Sequence, residues 1–203
     1  MQMVPKRKYR MSFSIGGLMV NESMALARQC RPQETWPNAR ARLVSEGISS
    51  FPKLASKTRV LREIFDRVSQ LTQEERAFLL EEADRSEQQA LIWLAVCRTY
   101  AFVREFAIEV IEERFLSWRP DLGHEAFDRF LAEKAEVDES LSELSASTCA
   151  KLRQVLFRIL RESGVLGAEG RIQQIWLSAR VKALIYEQCP EDIRVFPGNG
   201  GSR

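Results

Sequence analysis

Few residues in this 203-residue chain have the types and spacing for covalent or metal chemistry. His124 is its single histidine, so a Ser-His-Asp triad, a Cys-His pair or a zinc site with histidine ligands would have to be built around it. Cys30, Cys97, Cys149 and Cys189 stand at least 40 residues apart, and no CxxC pair offers a zinc ribbon or a dithiol redox centre. Cys97 and Cys149 fall in apolar helical patterns, where a thiol acts as a small hydrophobe, and reduced thiols are expected. Pro120-Asp121 with Glu133-Lys134 resembles part of a nuclease pattern, but that chemistry needs acids on strands. These residues read as helical, and the Glu-Lys pair lacks the residue between. Gly198-Asn-Gly-Gly has no strand before it and no helix after it, so it is not a phosphate loop. The adjacent Glu112 and Glu113 point to different faces of a helix. The expectation is a protein without catalytic residues, metal or cofactor.

Charge is what the chain holds in quantity. It carries 30 Lys/Arg against 28 Asp/Glu, a net charge of +2 that conceals a strong segregation. Residues 1–70 hold 13 cations and 5 anions, residues 71–143 hold 8 and 18, and residues 144–203 hold 9 and 5. Two basic regions thus bracket an acidic one. Basic ends suit a polyanion, because Lys and Arg on phosphates release counterions and drive nucleic-acid affinity. The opposing reading is internal pairing of the acidic middle with the basic ends. The middle itself, with Glu74, Glu75, Glu81, Glu82, Asp84, Glu109, Glu112 and Glu113, reads as a solvated helical face.

Two segments stand out as reading heads. Residues 123–177 run helix, short helical turn, helix, β-hairpin, the order of a winged helix-turn-helix. Leu144-Ser-Ala-Ser-Thr-Cys-Ala-Lys-Leu leads into the recognition helix, whose N–H groups favour phosphate. Its polar positions are Ser147, Thr148, Lys151, Arg153, Gln154, Arg158 and Arg161, with Arg171 and Gln173 on the wing. Arg and Gln suit base edges and Lys suits phosphate. The second head, residues 35–69, brings together Arg40, Arg42, Lys53, Lys57, Arg59 and Arg62. Ser56-Lys-Thr-Arg59 sets two cations in a first helical turn, where the helix dipole disfavours them unless an external anion offsets it. Lys6, Arg7 and Lys8, with Arg10, form a basic arm able to lie along a groove.

The elements that must position these residues are helical. Residues 20–30 form a short helix before Pro32, and a second runs from Thr35 to Glu46 with Pro37 in its first turn and Gly47 after it. Around the breaker Pro52, SSFPKLAS is a linker. Val60, Leu61, Ile64, Phe65 and Val68 share one face of the next helix. Thr72 and Glu75 form a capping box for a helix to about Asp84. From Ser86 to Trp118 there is no Gly or Pro, which predicts a long buried central helix with Trp93, Tyr100, Phe102, Phe106, Phe115 and Trp118 in the core. Arg119-Pro120-Asp121 ends it. Helices follow at 123–137, about 138–144, 145–163 closed by Gly164, and 178–188. Val165-Leu166 and Ile172–Leu177 are the hairpin pieces.

The longest unbroken apolar run, Ala90 to Cys97, is eight residues against the roughly 20 of a membrane span. The N-terminus lacks the apolar stretch of a signal peptide. A soluble cytoplasmic protein is expected.

Tyr9-Arg-Met-Ser-Phe-Ser-Ile-Gly-Gly-Leu, Ser56-Lys-Thr-Arg, Leu91-Ile-Trp-Leu-Ala-Val-Cys-Arg-Thr-Tyr and Leu144-Ser-Ala-Ser-Thr-Cys-Ala-Lys-Leu-Arg-Gln-Val-Leu-Phe-Arg-Ile-Leu-Arg-Glu-Ser-Gly resemble the BrxA family. These are small accessory proteins of bacteriophage-exclusion (BREX) phage-defence systems, and the likeness runs over roughly 9–188. It implies a small all-helical bacterial protein that binds double-stranded DNA. Such a protein is encoded with a DNA methyltransferase, a large ATPase and an alkaline-phosphatase-like protein, which are candidate partners. The resemblance supplies no catalytic residues.

The reading is therefore an all-α protein with two helical lobes. Residues 1–85 form a basic N-terminal lobe, 86–122 the connecting helix, 123–190 a winged-helix-like lobe with one short β-hairpin, and 191–203 a flexible tail. Its function is non-enzymatic double-stranded DNA binding with limited sequence specificity. The alternative is a protein–protein adaptor docking through the acidic surface of 74–113.

Overall fold

Apolar spacing and capping residues decide most of the chain's helices. The computed structural model describes residues 8–31, 34–46 and 57–200. Helix α1 spans Val20–Ala27 and α2 spans Trp36–Glu46, where the Thr35 carbonyl accepts the Ala39 N–H at 2.9 Å. Helix α3, Lys57–Val68, buries Leu61, Ile64, Phe65 and Val68 on one face, as its spacing predicts. Helix α4, Gln73–Glu81, opens with the expected capping box between Thr72 and Glu75. Helix α5, Arg85–Thr99, opens with a second one between Asp84 and Glu87, one residue before the expected start. Its stretch from Ala90 to Cys97 is buried all round.

The uninterrupted helix expected over 86–118 is broken. Tyr100 is extended (φ −121°, ψ 99°), and α6, Ala101–Phe106, starts on its far side. No Gly or Pro causes this. The buried Tyr100 hydroxyl donates to the Glu63 carboxylate of α3 at 2.5 Å, and its ring meets Phe13 edge-on at 5.4 Å. A helical Tyr100 would aim its ring elsewhere, so tertiary contacts override local propensity. A π-helical turn, Ala107–Glu112, and α7, Glu113–Leu116, complete the segment. Trp118 departs from expectation: it is 91% exposed rather than in the core and has φ +56°.

Helices α8 (His124–Ala135), α9 (Glu139–Ser142), α10 (Ala146–Glu162) and α11 (Ala179–Gln188) follow the sequence reading closely. No strand forms among the described residues, so the expected hairpin is reduced to single antiparallel bridges, Leu166 with Ile172 and Asp121 with Arg171. Backbone bonds extend the pattern: Gly167 N–H to Arg171 O and Gln173 N–H to Val165 O, both 2.9 Å, then Leu122 N–H to Gly170 O and Ile172 N–H to Pro120 O. Residues 170–173 thus lie between 165–167 and 120–122.

The segment after α11 does not trail off as a tail. A 3₁₀ turn at Pro190–Val195 buries Ile193 and Val195, Phe196 is fully buried, and Trp93 Nε1–H donates to the Val195 carbonyl. Residues 201–203 lie outside the described residues. The apolar cores do not divide where two lobes joined by a helix would. One cluster takes in Tyr9, Phe13, Leu18, the α5–α6 residues, Phe127, Phe130, the buried face of α10 and Phe196. A smaller one joins Leu26, Ala39, Leu43, Ile64, Phe65 and Val68 of α1 to α3. The described residues contain no helix long and apolar enough to cross a membrane. All four thiols are free, and burial pushes that of Cys97 well up.

Candidate nucleic-acid interface

Helix α10 begins where the Ser145 hydroxyl accepts the Thr148 N–H at 3.2 Å, a standard N-cap. Leu152, Val155, Leu156, Ile159 and Leu160 turn inward. That leaves Ser147, Lys151, Gln154, Arg158 and Arg161 exposed. Steps of four, three, four and three residues put these five on one face of a helix about 25 Å long. Lys151 Nζ donates to Gln154 Oε1 at 3.2 Å within the stripe. Thr148 and Arg153 are half-buried at its flank, and Arg153 is paired with Asp128 of α8. Arg158 pairs with Glu162 at 2.7 Å while its side chain stays 63% exposed.

Past α10 the turn Gly167–Gly170 projects with Arg171 and Gln173 exposed behind it. Arg171 Nε lies 3.9 Å from Asp121 Oδ1. His124, exposed at the start of α8, sets its ring edge-on to Phe157 of α10, with centroids 4.6 Å apart.

The N-terminal head is less uniform than its sequence. Arg59 and Arg62 are exposed on α3, and Arg40 is half-buried on α2. Arg42 is turned inward. It grips both oxygens of Glu34, at 2.9 and 2.7 Å, and donates to the Gln29 carbonyl. That bidentate bond holds the Glu34 carboxyl down at about 2. Lys8 is exposed, but Tyr9 beside it is buried with its N–H on Asp138, and Arg10 pairs with Asp66 across the Tyr100 ring. From residue 8 onward the basic arm is thus part of the packed molecule. Lys6, Arg7, Lys53 and the Lys57 side chain lie outside the described residues.

One groove has residues of both heads in its lining, Val60 alone from the N-terminal one. About 490 Å³ in volume, it is lined by Val60 of α3, Arg158 and Glu162 of α10, Arg85 and Gln89 of α5, and the Gly16–Glu22 segment. Arg85, which donates to Asn21 Oδ1 at 2.7 Å, was not singled out in the sequence because it follows an acidic run at a helix start.

Internal pairing also accounts for part of the charge. Glu75, expected on a solvated face, is fully buried and held by Arg98, which also binds the buried Asp192. Glu112 is buried against Arg194. Lys134, half of the nuclease-like pattern, is taken by Glu105 and Glu109. No group of three or more His, Cys, Asp or Glu among the described residues is placed to hold a metal ion.

The BrxA family model matches residues 7–188 of the chain. No curated protein matches it. Among solved structures, an uncharacterized protein from Magnetospirillum magneticum has the same fold. The TM-score is 0.78 at 20% identity, over 94% of this chain and 99% of that one.

Proposed function

The chain belongs to the BrxA family, and from that premise we propose that it is a non-enzymatic, double-stranded-DNA-binding component of a BREX phage-defence system. The observation that carries the reading is the exposed stripe of α10, with Ser147, Lys151, Gln154, Arg158 and Arg161 in one line. The bridged turn beside it supports the reading. The order of segment 120–122, helices α8 to α10 and then the bridged segments 165–167 and 170–173, with 170–173 between the other two, supports a winged helix-turn-helix reading. There α10 enters the major groove, its N-terminal Ser147 and Thr148 meet base edges or phosphate, and the turn at 167–170 rides alongside. Five positions, two of them uncharged, give modest base readout and mostly backbone contact, hence limited sequence specificity.

A salt titration of duplex binding, followed by fluorescence anisotropy, tests this. With four or more phosphates contacted, affinity falls by about a hundredfold or more between about 50 and 200 mM salt. Changing Lys151 and Arg161 to Glu removes binding and leaves the helical circular dichroism unchanged. Absence of binding at about 50 mM salt sinks the DNA reading and leaves the adaptor.

A further inference from the structure

Glu162 ends α10 where the exposed stripe reaches the N-terminal segment. Its two oxygens are divided between different donors. Oε1 accepts from Arg158 Nε at 2.7 Å, and Oε2 accepts from the backbone N–H of Leu18 at 2.6 Å. A guanidinium and a backbone N–H are the donor types that hold DNA phosphates. The carboxylate approaches the main chain closely because position 17 is glycine. A Cβ there would stand 2.1 Å from Oε2. Arg85 lines the same groove, and Arg158 belongs to the stripe as much as to this site.

We propose that Glu162 is a built-in competitor of DNA phosphate for Arg158, setting the affinity below what the α10 stripe alone would give. The proposal rests on the DNA reading above. A phosphate that reaches Arg158 meets a guanidinium already neutralised by a carboxylate that Leu18 holds in place. It must share the arginine or displace the acid. A purely anchoring role, in which Glu162 ties the N-terminal segment to α10, predicts no change in DNA affinity when the charge alone is removed.

Glu162→Gln makes that change, since the amide oxygen still accepts the Leu18 N–H. Anisotropy titrations of the full chain with a duplex of about 20 base pairs, between about 50 and 200 mM salt, compare four proteins: wild type, Glu162→Gln, Arg158→Gln and the double variant. Glu187→Gln, an exposed acid on α11, serves as control. Glu162→Gln is expected to bind about two- to fivefold tighter, the range of an exposed ion pair. Its salt slope should steepen by up to about 0.9, one more phosphate. In the Arg158→Gln background the gain should vanish, and the control should stay near wild type. Unchanged affinity overturns the proposal, as does an equal gain with Arg158 absent, which would be the general field of a lost anion. If wild type does not bind at about 50 mM salt, the DNA reading fails first.

Discussion

Arg42 and Arg158 look alike in the sequence, each a cation on a polar helix position with a nearby Glu, and the structure gives them different work. Arg42 spends both arms of its guanidinium on Glu34, while Arg158 leaves most of its side chain in water. The Arg158–Glu162 pair follows from i, i+4 spacing on α10, whereas Arg42 reaches back to Glu34 ahead of α2, a contact that helical spacing does not encode. The Glu34 pair has a consequence in acid. Its carboxyl is lowered to about 2 by the Arg42 hydrogen bonds, whereas in the unfolded chain it titrates near 4.3. A depressed carboxylate stabilises fully above the unfolded value, and that contribution is lost as pH falls toward 2. Glu34→Gln removes it. Thermal melts of the variant should sit below wild type at pH 7, and the two curves should converge between about pH 4.5 and 2. A gap that stays constant across that window contradicts the assignment.

Elements with a local signature were legible. The Thr72-Glu75 capping box, the Ser145 cap, the Gly164 stop at φ +79° and the apolar face of α3 are all written in residues a few positions apart. The break at Tyr100 and the bridged segment at 120–122 were not. The former depends on Glu63 and Phe13, each far along the chain, and the latter on three residues that include a proline and pair with the turn after α10. The same holds for the buried charges of α3, where Arg67 reaches the Gly17 carbonyl at 2.7 Å and Glu63 at 2.8 Å on a face that spacing assigns to the apolar core. Tyr100 ties this cluster to the broken helix, and burial beside Glu63 pushes its hydroxyl pKa well up, so the hydroxyl keeps its proton and donates it. Tyr100→Phe leaves the Glu63 carboxylate one donor short inside the protein. A cost of about 1.5–3 kcal/mol follows, read as a lower urea midpoint with unchanged m. A midpoint equal to wild type would mean that Arg67 alone satisfies Glu63.

At the scale of the whole molecule, the segregated charge becomes a geometry. Val60, in a first turn of α3 that holds no acid, lines the same groove as Arg158 of α10, while Glu75 and Glu112 of the acidic middle pair inward and Glu74, Glu81, Glu82, Asp84 and Glu113 stay exposed. On the DNA reading, a single duplex lying along α10 extends over that groove toward Arg59 and Arg62. Neutralising each pair separately then distinguishes one continuous footprint from two unrelated basic patches. Arg59→Gln with Arg62→Gln, and Lys151→Gln with Arg161→Gln, should each flatten the salt slope by about 1.8, two phosphates. The losses in binding free energy should add in the fourfold variant, as they do for sites that share a ligand but not a contact. Stoichiometry should remain one duplex per chain throughout. If the α3 variant binds as tightly as wild type, the N-terminal cations only solubilise that face, and the interface ends at the groove. If two duplexes bind, each pair belongs to its own site.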